Sequence, residues 1–183
     1  MNTRDEVQIG VIRSAKEVAR TSVFVAAVIG AQYVFSAVPF VEIVTLLFVC
    51  YSYVFGGARG VVASVAFALL RQLLFGFYPV VLILYLMYFP LLSIVFGWLG
   101  KRKKYAGVKL LLLAMVLGGI CTASFTLLDN VLTPLYYAYS QKAARAYFMA
   151  SLPFLIGQTI CAIVSIGGLF FPLTKALFFV KKA

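Results

Sequence analysis

The chain has 183 residues, of which 64% are hydrophobic and 11% charged, with a formal net charge of +11 and a mean hydropathy of +1.05. So few charges cannot coat a water-facing globule, and the apolar residues fall in long runs without the three-to-four periodicity of a soluble amphipathic helix, so a soluble domain is excluded. The absence of histidine excludes histidine-ligated haem, histidine-containing zinc sites and His-based acid–base catalysis.

Residues 3–20 mix charge with Val7, Val11, Ala15 and Val18 at helical spacing, and Thr3 followed by Glu6 fits a capping box. This predicts a cytoplasmic amphipathic helix over residues 1–20, lying on the membrane face and running into the first span. The first apolar run begins near Thr21, after a charged stretch longer than a usual signal-peptide leader, so no cleaved signal is expected. Span one is expected from Thr21 to Val38, ending at Pro39. Span two is short, from Phe40 to Phe55, with Glu42 near its start. The turn Gly56-Gly57-Ala58-Arg59-Gly60 leads to span three, Val61 to Phe77, which is interrupted by Arg71 and Gln72. Gly76-Phe77-Tyr78-Pro79 makes the next turn, and span four runs from Val80 to Leu99 with a kink expected at Pro90. The loop Gly100 to Lys109 is the most basic. Span five follows to Leu128. A polar stretch from Asp129-Asn130 to Ser151 is expected to hold a short interfacial helix. Span six runs from Leu152 to Phe171, ahead of a basic tail.

The fold class is therefore an all-α integral membrane protein, a compact bundle of six transmembrane helices filling residues 21–183. An N-in/C-in orientation leaves thirteen of the sixteen Lys and Arg in cytoplasmic segments, the exceptions being Arg71, Lys142 and Arg145. Because the basic residues gather at the ends of apolar runs, the lipid bilayer is the expected partner and nucleic acid is not. Cys50, Cys121 and Cys161 sit singly in apolar runs and read as small buried hydrophobes. No metal site and no cofactor are expected. The P-loop, GxSxG and HExxH patterns are all absent, so no enzyme is expected.

The informative residues are the few polar ones at membrane depth: Glu42, Arg71, Gln72, Asp129, Asn130 and Gln158. Charges at such depth are costly unless paired or solvated, so they face a cavity or each other. With N-in, all of them lie toward the outer ends of their helices, which points to an outward-facing pocket. A structural Glu42–Arg71 ion pair is the alternative. Tyr78 and Tyr85 on one stripe of span four, with Tyr136 in the outer loop, would sandwich a planar ring. Small residues form rows on span one (Ser22, Ala26, Gly30, beside Ala27 and Ala31), on span three (Gly60, Ser64, Ala68) and on span six (Gly157, Cys161, Ser165), where backbones can approach closely.

The Glu-led second span V-E-I-V-T-L-L-F-V-C-Y from Val41, the turn V-F-G-G-A-R-G, the run R-Q-L-L-F-G-F-Y-P from Arg71 and the six-helix layout resemble the substrate-binding S components of energy-coupling factor (ECF) transporters. The resemblance covers residues 21–100 in wording and nearly the whole chain in layout. It implies a prokaryotic plasma-membrane protein that captures a vitamin or related micronutrient from outside, in a pocket roofed by loops between spans. Riboflavin-, thiamine- and cobalamin-type ligands all remain open. The implied partners are a transmembrane coupling protein and two cytoplasmic ATPases. In the family an A-x-x-x-A row on the first helix meets the coupling protein; here Ala27 with Ala31, or Ala26 with Gly30, matches it. The competing reading is a non-catalytic membrane scaffold of MreD-like type, with Glu42 and Arg71 locked together and no pocket.

Overall fold

The computed structural model describes residues 15–38, 40–102 and 106–182. The expected amphipathic helix and its Thr3–Glu6 cap lie outside the described residues up to position 14, as do Lys103 and Lys104 of the basic loop. The described residues form six helices and no strand: α1 (Ala15–Phe35), α2 (Val44–Phe55), α3 (Gly57–Phe75), α4 (Pro79–Lys101), α5 (Gly107–Tyr136) and α6 (Gln141–Lys182). All but α2 are long and apolar enough to cross a bilayer. The chain is an α-helical, multi-pass membrane protein.

The second apolar run departs from the expected span. Residues 41–43 are not helical, and α2 has 12 residues, about 18 Å of helix against a hydrocarbon core of about 30 Å. It is instead the hub of the bundle. Ten of its 12 residues are buried, and it packs against α4, α6, α3, α1 and α5. Phe48, Val49 and Tyr51 form the centre of the core with Phe67 of α3, Phe96 of α4 and Phe170 of α6. A short helix suffices because protein, not lipid, surrounds it.

Glycine sets the closeness of α2, α3 and α4. Gly56 joins α2 to α3 with a φ of 94°, in the region that favours glycine. A Cβ at Gly97 would run into the backbone of Gly57, and one at Gly100 into the carbonyl of Tyr53, so α4 lies directly on the α2–α3 turn. The small row on α3 is used in the same packing: Gly60, Ser64 and Ala68 are buried, with Gly60 against Ser52 and Ser93. The row on α1 is not. Ser22, Ala26, Ala27 and Gly30 are exposed, Ala31 is half-buried, and none of the described residues lies within 4 Å of where a Gly30 Cβ would be.

The C-terminal third is a long helical hairpin. The expected separate interfacial helix does not occur; α5 continues through Asp129-Asn130 to Tyr136, and α6 runs from Gln141 to Lys182, taking in the basic tail. Asp129 and Asn130 do not end α5 because their side chains find partners beside the helix: Thr133 Oγ1 donates to Asp129 at 2.6 Å, and Asn130 donates to Ser151 Oγ at 2.7 Å. The helix-favouring alanines at 143, 144, 146 and 150 carry α6 across the polar stretch. Span four likewise stays one helix through Pro90.

The bundle has one basic end. Arg59 at the start of α3 pairs with Glu17 of α1, and Lys181 at the end of α6 donates to the Val54 carbonyl of α2 at 2.6 Å. Residues 15–20 and 181–182 therefore meet at the same end as the α2–α3 turn, and the α4 terminus with Lys101 and Arg102 lies there too.

Candidate functional site

At the opposite end, a cavity of about 330 Å³ opens among all six helices. Its walls come from the end of α1 and the following connection (Gln32, Phe35, Ser36, Phe40), the non-helical lead into α2 (Val41 to Ile43), Arg71 and Phe75 of α3, Tyr85, Tyr88 and Phe89 of α4, Thr122 and Phe125 of α5, and Phe154 and Gln158 of α6.

The lead into α2 is shaped by local chemistry. Phe40 adopts a φ of 68°, a left-handed conformation rare for an aromatic residue. Its ring is tilted against Phe154 at 5.1 Å, over Gly157, where a Cβ would sit 2.6 Å from the ring. The glycine on α6 thus makes the seat for an aromatic on the cavity wall. Glu42 follows. Its carboxylate accepts the Thr45 N–H at 2.9 Å and caps the first turn of α2, while its own N–H donates to Cys161 Sγ at 3.3 Å.

Arg71 is held by aromatic faces. Its guanidinium carbon lies 5.2 Å from the Phe75 ring centre and 5.0 Å from that of Tyr85, within range of cation–π attraction. Nε and Nη1 are buried with no hydrogen-bond partner among the described residues, and no ion pair joins Arg71 to Glu42. Gln32 donates to Tyr85 Oη at 3.0 Å, while its buried carbonyl oxygen accepts no hydrogen bond from the described residues. Thr45 and Tyr88 share a hydroxyl–hydroxyl bond of 3.2 Å. Tyr85 stacks on Phe67 and meets Phe89 and Phe125 edge-on or tilted, so its position is fixed by neighbours on three helices. The cavity therefore offers a cation, a carboxylate, two amides and several ring faces within one volume.

Of the residues singled out from the sequence, Glu42, Arg71, Tyr85 and Gln158 line this cavity. The others lie off it. Gln72 is buried and turns its carbonyl to the Tyr78 N–H at 2.9 Å. Tyr78 is exposed beside Gly76. Asp129 is engaged by Thr133 and by Tyr147 Oη at 2.7 Å, Asn130 by Ser151, and Tyr136 stands half-exposed against Tyr137. These last three sit in the α5–α6 hairpin beyond the cavity wall, so the expected convergence of Asp129 with Glu42 and Arg71 does not occur. Gln32, Thr45, Tyr88 and Thr122 line the cavity without having been singled out. Gln32 had the same signal as the others, an amide within an apolar run. The outward-facing Ala26, Ala27 and Gly30, with half-buried Ala31 whose edge reaches the cavity, leave the α1 row clear of neighbouring helices. Comparison of the chain with protein-family models, with curated proteins and with solved structures finds no match.

Proposed function

We propose that the protein is the substrate-binding subunit of an ECF-type importer. It captures a vitamin or related micronutrient from outside and delivers it inward with a separate coupling protein and two ATPases. The observation that carries this reading is Arg71: a guanidinium lining an open cavity, with two buried nitrogens unpartnered and a carboxylate, Glu42, on the same wall but not paired with it. Buried polar groups left without partners are destabilising, and they persist at sites where a ligand completes them. The resemblance of residues 21–100 to S components points the same way, and so does the wall of the cavity formed by Ser36, Val38 and residues 40–43.

The volume bears on the cargo. Small-molecule pockets run from about 300 to 1,000 Å³, and about 330 Å³ suits a compact ring system of riboflavin or thiamine type. The Phe35, Phe40, Phe75 and Phe89 faces would take the ring, Arg71 an anionic or carbonyl group, and Glu42 with Gln32 a donor. The outward row Ala26, Ala27, Gly30 and Ala31 is the proposed contact for the coupling protein, the basic end faces the cytoplasm, and the membrane is the prokaryotic plasma membrane. The MreD-like scaffold reading needs Glu42 and Arg71 locked together, and no such pair forms.

The test is native mass spectrometry of the protein extracted in mild detergent from cells grown on rich medium. A retained small molecule, lost from an Arg71→Ala variant, is the expected result. Bare protein from both, together with no binding of any nutrient added back, would remove the proposal.

A further inference from the structure

A second hollow, of about 200 Å³, lies at the basic end, walled by Glu17, Arg20, Thr21, Tyr51, Phe55, Arg59 and Lys181. Three cations face one carboxylate. Arg59 is fixed in place by Glu17 and by the Phe55 carbonyl, which accepts from Nη1 at 3.1 Å, and its Nε is buried without a partner among the described residues. Lys181 is tethered to Val54 O at 2.6 Å, 6.0 Å from the Phe55 ring centre. Arg20 forms no ion pair among the described residues. The charges are thus held open around a space of headgroup size.

Directly beside it runs an apolar groove of about 430 Å³ between α1, α2 and α6. Arg20, Tyr51 and Phe55 line both spaces, so the two adjoin. Apart from Arg20 and Tyr51, the groove is walled by apolar side chains, Val23, Leu47 and Leu177 among them, and Val23 is 70% exposed at its lip.

We propose that this composite is a binding site for an anionic glycerophospholipid, its phosphate among Arg20, Arg59 and Lys181 and an acyl chain in the groove. Charge complementarity selects the headgroup, since arginine nitrogens match phosphate oxygens in geometry as well as in sign. Basic pockets between helices at the membrane boundary recognise lipid phosphates by the same chemistry. The adjoining groove selects a lipid over a free phosphate, because an inorganic anion leaves the groove unused. The site lies at the end of the bundle opposite the ligand cavity and is independent of what that cavity binds.

The experiment uses the full chain, stripped of lipid in mild detergent and then given phosphatidylglycerol, phosphatidylcholine with the same acyl chains, or inorganic phosphate. Native mass spectrometry counts the retained adducts, and thermal unfolding reports stabilisation. The expected result is several-fold greater retention of phosphatidylglycerol than of phosphatidylcholine, and no stabilisation by phosphate alone. The preference disappears in Arg20→Gln/Lys181→Gln and in Val23→Trp, which fills the groove. Should the double variant fail to fold, Arg20→Gln alone carries the test, with a partial loss expected. Equal retention of both lipids, or stabilisation by inorganic phosphate matching that by phosphatidylglycerol, would overturn the assignment. So would full phosphatidylglycerol retention by the Arg20 and Val23 variants, or a lipid-free dimer, which would place a second copy in the groove.

Discussion

Arg71 sits about one turn from the end of α3, where an unpaired charge costs less than at a helix centre, about 2.5–3.5 kcal/mol by insertion scales. The rings of Phe75 and Tyr85 offset part of this, at up to about 2 kcal/mol for a desolvated cation–π contact. Nε and Nη1 find no partner among the described residues, at about 1–3 kcal/mol for a buried polar group. Replacing Arg71 with Leu therefore removes a destabilising group, and the unliganded variant is expected to melt at the same temperature as the wild type or a few degrees higher. A drop of many degrees would mean that Arg71 is structural. Glu42 behaves differently, because its carboxylate caps α2 through the Thr45 N–H. Glu42→Gln keeps an acceptor oxygen and is expected to stay within about 0.5 kcal/mol of wild type, whereas Glu42→Ala loses the cap and about 1 kcal/mol. Denaturant unfolding in detergent micelles distinguishes the two.

Among the elements, α4 carries the tightest seam. Gly97 and Gly100 lie on the backbone of the α2–α3 turn, while Gly30 on α1 faces open space. Gly97→Ala is expected to destabilise the bundle by about 1–3 kcal/mol, and Gly30→Ala to be neutral or to stabilise it by about 0.5–1 kcal/mol through helix propensity. Thermal unfolding of the pair checks this; equal effects would contradict the seam. The elements also show what was legible in the sequence. α1, α3 and α4 are long apolar runs bounded by Gly or Pro, and hydrophobicity alone places them to within about six residues. α2 is shorter than its apolar run because the protein around it tolerates a non-helical lead, which hydropathy does not register. The polarity of Asp129 and Asn130 reads as a helix end, yet each bonds to a neighbouring side chain and the helix continues.

On the scale of the whole molecule, polarity is sorted between two ends, with cations around the α2–α3 turn and the cavity at the far side. The cost of burying charge points to Glu42, Arg71 and Asp129 alike; the first two line the cavity and Asp129 does not. α6 is 42 residues long, about 63 Å at 1.5 Å per residue against a hydrocarbon core of about 30 Å, and in the α5–α6 hairpin Asp129 is met by Thr133 and Tyr147. Arrangement in space, not residue type, decides between those cases. The sorting also predicts orientation. A membrane-impermeant maleimide applied to intact cells is expected to label Ser140→Cys at the hairpin tip and to spare Lys182→Cys. The reverse pattern would invert the bundle.

The cavity's purpose is tested most directly by thermal unfolding of purified wild type and Arg71→Leu against a panel of vitamins and their precursors. A ligand that binds only the folded state must raise its melting temperature. At least one compact, ring-containing nutrient is expected to shift the wild type by several degrees and leave Arg71→Leu unmoved. A panel that shifts neither protein, or shifts both equally, would contradict a nutrient site built around Arg71.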